Sequence, residues 1–111
     1  MLSSCETSFD LDFKLENQTS ETIEVIASTY IQIDTFQIAP NTEILIVNNS
    51  GIGEPNEVYY ALLDTIPIEF RSIKMGQKIY NKNPSNKNLW NFGGNDSDEK
   101  IVLEIREEDF D

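Results

Sequence analysis

From Phe9 to Glu16 the chain alternates without error. Phe9, Leu11, Phe13 and Leu15 hold one parity, and Asp10, Asp12, Lys14 and Glu16 hold the other. A period of two puts successive side chains on opposite faces of an extended strand and makes no apolar stripe on a helix. The same period returns in Ile23, Val25, Ala27, Thr29, Ile31 and Ile33, in Ile66, Ile68 and Phe70, and in Ile101, Leu103 and Ile105. Phe36 and Ile38 then fall on the other parity, which predicts a break near Asp34–Thr35. Ile73 and Met75 switch parity after Phe70, which predicts a bend at Arg71–Ser72, because a one-residue shift needs a bulge or turn.

Turn chemistry separates these runs. Asn17-Gln18-Thr19-Ser20, Ala39-Pro40-Asn41-Thr42 and Gly76-Gln77 read as turns, and 48–56 and 81–88 as polar loops. Glu43 to Val47 is apolar on both parities, the signature of a central strand covered on both faces. Val58 to Leu63 fits a strand or one short helical turn. Seven or eight short strands, with turns every eight to twelve residues, predict an all-β fold. The expected architecture is an immunoglobulin-like antiparallel β-sandwich, with a small β-barrel as the alternative. At 111 residues one domain is expected, with residues 1–8 as a tether and residues 9–111 as the sandwich.

Composition removes several chemistries. The chain has no histidine and one cysteine. Ser-His-Asp and Cys-His catalysis, most catalytic zinc sites and an internal disulfide are thereby excluded. No Gly-rich phosphate loop or nucleophile elbow is present, and no apolar run reaches the roughly 18 residues of a membrane span. An enzyme is not expected, nor a cofactor. Net charge is −12, so nucleic acid is not an expected partner.

The chain opens Met1-Leu2-Ser3-Ser4-Cys5. Leu-Ser-Ser-Cys matches the bacterial lipobox: small residues let a peptidase hold the backbone closely, and the thiol takes the diacylglycerol. Cys5 is the candidate lipidation site and the expected sole route to a membrane; the basic and apolar parts of such a signal would lie upstream of Met1. The alternative is an ordinary start with a free thiol. With the Asn-Gln-Thr turn after the first strand and a late tryptophan before a final strand and acidic-aromatic tail (Glu108-Asp109-Phe110), the chain resembles small uncharacterised Bacteroidota-type lipoproteins with immunoglobulin-like domains. That resemblance implies an outer-membrane lipoprotein of the cell envelope and supplies no activity.

Three constellations could carry function. Trp90 and Phe92 share a parity beside Gly93-Gly94, which suits either a stacking platform for a sugar or apolar ligand or a core anchor; the core anchor is expected. Asp96, Asp98 and Glu99 offer oxygens to Ca²⁺ but lack EF-hand spacing, so a solvated loop is expected. The third is the charge map. Residues 1–69 hold twelve acids and one base, residues 70–95 hold five bases and no acid, and residues 96–111 hold eight acids and two bases. Arg71, Lys74 and Lys78 are expected to face solvent near Glu104 and Glu107, either pairing across strands or docking an acidic partner; pairing is expected. These readings leave two functions: a lipid-anchored envelope module binding protein or glycan, or a small acidic inhibitor or immunity-type protein docking onto a basic enzyme or toxin.

Overall fold

The computed structural model describes residues 8–29, 32–53, 55–93 and 100–111. Cys5, Asp96, Asp98 and Glu99 lie outside the described residues. Among those described, eight strands build two four-stranded sheets. In the first, β4 (Thr42–Ile52), β1 (Ser8–Asn17), β8 (Lys100–Ile105) and β7 (Trp90–Gly93) lie side by side in that order. In the second the order is β3 (Ile33–Ile38), β2 (Ile23–Ser28), β5 (Glu69–Met75) and β6 (Lys78–Ile79). The all-β, sandwich-like fold therefore holds, and the sheets do not close into the barrel considered as an alternative.

The purely antiparallel expectation is corrected at one pair. β1 and β8 run parallel, Asp12 beside Lys100 through Asn17 beside Ile105. A parallel neighbour needs a long connection, and the whole intervening chain supplies it. The alternation forecasts the core. Leu11, Phe13 and Leu15, Ile23 and Val25, and Ile101 and Ile105 are fully buried, and at about 25 cal/mol per Å² of apolar surface their burial drives the fold.

Each parity break has a local cause. β2 and β3 form a hairpin that turns at Thr29–Gln32, where the Thr29 amide donates to the Gln32 carbonyl at 3.1 Å. The break thus lies earlier than Asp34–Thr35. The hairpin sets Asp34, Phe36 and Ile38 opposite Ala27, Val25 and Ile23, which is why the buried parity changes. β5 is bulged at Arg71, since Phe70 and Ser72 pair with consecutive residues Ala27 and Ile26. The predicted bend is that bulge. Gly76, at φ 66°, opens the two-residue β5–β6 turn, a backbone state that favours glycine.

β4 corrects the reading of a central strand, because it is an edge strand. Its pairing with β1 slips at Ile46, so that Val47 sits opposite Phe13 and Ile44 opposite Leu15, both facing inward. A bulge makes a one-sided strand look apolar on both parities, and Leu45 remains 47% exposed. The ambiguous VYYALL run resolves as a helix, α1 (Asn56–Leu62). No described helix is long and apolar enough to cross a membrane.

Asn17 joins the two sheets. Its amide donates to the carbonyls of Glu21 and Ile38 at 2.8 Å each, and its Oδ1 accepts from the Thr19 amide and hydroxyl. The side chain is fully buried and fully bonded. What reads in sequence as a turn residue is the seam between β1 and the end of β3.

Candidate functional site

The five bases of residues 70–95 separate into engaged and open ones. Lys87 donates to the carbonyls of Tyr60 and Leu63 at 2.8 Å each and lies 4.7 Å from the Tyr60 ring centre. It thereby satisfies the C-terminal carbonyls of α1, which carries no base of its own there. Lys82 pairs with Asp109 at 2.7 Å. Arg71 donates to the Ser28 hydroxyl at 3.1 Å and approaches Glu69 at 3.5 Å. Lys74 and Lys78 are exposed and make no ion pair among the described residues, although Glu24 sits directly across from Lys74.

Arg71, Lys74 and Lys78 face solvent as expected, but the expected neighbours are wrong. β5 pairs with β2 and β6, whereas Glu104 lies on β8 in the other sheet, paired with Arg106 at 2.7 Å. Glu107 accepts from the Ser20 amide. The basic segment meets the acidic tail elsewhere: residues 79–81 bond antiparallel to residues 109–111, with Tyr80 opposite Phe110. Ile79 is 56% exposed, and Tyr80 takes the buried place beside it.

A cleft of about 160 Å³ opens between β5 and the segment following β6. Phe70, Tyr80 and Pro84 form its apolar part, and Arg71, Ser72 and Lys82 its polar part; among the described residues no acidic side chain lines it. The cleft exists because β6 is only two residues long, so the Tyr80 amide to Ile73 carbonyl bond is followed by departure of the chain from β5. The Ser72 Oγ is buried and has no hydrogen-bond partner among the described residues. Lys82 is held in place by Asp109, whose other carboxylate oxygen accepts from the Arg106 amide. Desolvation, reinforced by the Asp109 charge, pushes the Tyr80 phenol up to about 12. Tyr80 is therefore a neutral hydroxyl donor throughout the physiological range.

The aromatic pair divides. Trp90 is 5% exposed, donates from Nε1 to the Pro84 carbonyl at 2.7 Å, and packs against Phe13 and Phe70. It is a core anchor. Phe92, 37% exposed, meets Tyr60 at 5.5 Å. Tyr59, the neighbouring helical residue, stacks on Phe9 at 3.9 Å and accepts from the Asn49 amide, so α1 is clamped on both flanks and only part of Phe92 remains at the surface.

The Arg71–Lys82 cleft is not legible in the sequence, because Ser72, Tyr80 and Lys82 become neighbours only through pairing. The one signal the sequence carries is the acid-free stretch 70–95. No known family model, curated protein or solved structure matches the chain.

Proposed function

We propose that this chain is a lipid-anchored cell-envelope binding module, not an enzyme, built on an immunoglobulin-like sandwich and engaging a protein or glycan that presents acidic groups. The observation that carries this reading is the basic enclave on the second sheet. Arg71, Lys74 and Lys78 are exposed on the second sheet of a chain of net charge −12, and Arg71 lines a cleft with no acidic side chain among its described lining residues. Such a patch orients and accelerates encounter with an acidic surface while the rest of the body repels it. The anchor is read from Leu2-Ser3-Ser4-Cys5; only Glu6 and Thr7 separate Cys5 from β1. A module anchored this way works at an outer-membrane surface.

The test uses protein recovered from its native envelope and the triple variant R71Q/K74Q/K78Q. Mass spectrometry should find Cys5 acylated. Envelope components retained by the wild type should associate more slowly with the variant, and the dependence of their on-rate on salt should flatten. An unmodified thiol ends the anchor reading, and unchanged association ends the basic-face reading.

A second reading, an inhibitor or immunity-type protein docking on a basic enzyme, is favoured by Asp10, Asp12 and Glu16 on the outward parity of β1. Under that reading D10N/D12N/E16Q, and not the basic triple variant, slows association.

A further inference from the structure

We propose that β4 is a pairing edge for a second copy of this chain, joined antiparallel about a two-fold axis near Leu45 and Ile46, so that the first sheets of the two copies run on as one. This contact lies away from the basic enclave and does not rest on the binding reading above.

An edge strand invites pairing because one row of its backbone N–H and C=O groups has no neighbouring strand. Proteins blunt such edges with shortness, charge, proline or a covering segment. Among the described residues, the other three edges are blunted in these ways. β6 is covered by residues 109–111, β7 has four residues, and β3 has six, Asp34 among them. β4 runs for eleven residues, and from Ile44 to Ile52 it holds no charged residue and no proline. Its strand neighbour is β1 alone, and among the described residues no backbone bond ties 42–48 to any other element.

The outward side chains select the occupant. Glu43, Leu45 and Asn48 face outward, opposite Glu16, Lys14 and Asp12. Over one half of β4, the Asn48 amide gathers the Asp10 and Asp12 carboxylates at 2.6 and 2.7 Å. Over the other half, Lys14 and Lys100 meet Glu43 at 3.5 and 3.1 Å, and their charges balance Glu43 and Glu16. An antiparallel copy with Asn48 opposite Glu43 lays the carboxylate pair of each chain against the lysines of the other. A parallel copy sets the two carboxylate pairs abreast, and like charges disfavour that. The same register pairs Val47 with Ile44, both inward, and brings the two copies of Leu45, each 47% exposed, together beside the axis. The bulge at Ile46 fits as well: residues 43–48 count the same from either end, so the two bulges lie opposite each other. A two-fold contact needs a patch complementary to itself, and β4 meets that need in charge, in face and in count. The net charge of −12 opposes association at long range, but beyond about 8 Å it is screened at physiological salt, so the charges at the seam decide.

A single strand pair is smaller than the roughly 1,200 Å² of a stable interface, so the dimer is weak and reversible. Sedimentation equilibrium of the full chain, with reductant to keep Cys5 from linking copies, should give a monomer–dimer constant between about 10 μM and 1 mM. As concentration rises through that range, hydrogen exchange should slow at alternate amides of residues 43–48 and stay unchanged in β3 and β7. L45K sets two ammonium groups beside the axis from a position that already faces solvent. It should weaken dimerisation at least about tenfold with an unchanged circular dichroism spectrum. D10N/D12N should weaken it by about threefold.

A monomer at 1 mM, protection that rises in β3 or β7 instead, or L45K dimerising as tightly as the wild type would overturn the proposal. So would loss of the dimer in R71Q/K74Q/K78Q, which would move the contact to the second sheet. A chain that stays monomeric, with its β4 amides protected only by an added extended basic peptide, assigns the edge to a different partner and overturns the second-copy assignment.

Discussion

The two sheets use their lysines in opposite ways. In the first, Lys14 on β1 and Lys100 on β8 both reach Glu43 on β4, at 3.5 and 3.1 Å. Three adjacent strands are thus tied by one carboxylate. In the second, Lys74 and Lys78 have no such partner among the described residues, and the cations nearest the cleft are only partly engaged. The difference comes from topology. Placing β1 between β4 and β8 brings two lysines over one acid, whereas the short β6 leaves the border of β5 uncovered. A charge deficit in the sequence therefore says little about which cations are free; the order of the strands decides that.

The most severe way to break the comparison is to cut the seam between the sheets. Asn17→Ala orphans the Glu21 and Ile38 carbonyls and the Thr19 donors together. It should lower unfolding stability by about 3 kcal/mol, read as a lower urea midpoint at unchanged slope.

The second prediction concerns the border of the second sheet. The Tyr80 phenol titrates near 12 when folded and near 10 when unfolded. Its folded value is raised, so the stabilisation is fully present below pH 10 and is lost as pH rises through 12. Stability should fall by about 2.7 kcal/mol across that window. D109N should move the folded titration toward 10, and Y80F should flatten the window; a denaturation series at fixed pH values tests both.

Matched charge removals sharpen the contrast further. K14Q/K100Q strips a part-buried Glu43 of both cations and should cost about 1 kcal/mol. K74Q/K78Q removes no observed pair and should change stability by less than about 0.5 kcal/mol. Equal losses in the two double variants, measured by denaturant unfolding, would show that the sheets do not differ as described.

Local periodicity makes β1, β2 and β8 readable from the residues alone. Their inward side chains are buried as the alternation requires, and the Arg71 bend and the Gly76 turn are written in parity and glycine. β4 reads falsely as central because a bulge at Ile46 mimics two-sided burial. α1 is ambiguous because seven residues span two helical turns, too few to establish a period of 3.6. Partner choice is not readable at all. Nothing local tells Glu104 that it lies in the other sheet from Arg71, or makes Asn17 more than a turn residue. The cleft depends on the same long-range pairing, so its residues stand out in the sequence only as part of a basic stretch.

The parallel contact of β1 with β8 has a mechanical consequence. Tension applied at the start of β1 and the end of β8 pulls these strands past each other along their length. Their hydrogen bonds, six residue pairs from Asp12–Lys100 to Asn17–Ile105, are then loaded together in shear, not opened one by one like a zipper. A domain tethered at one end and gripped at the other would hold until that whole ladder slips at once.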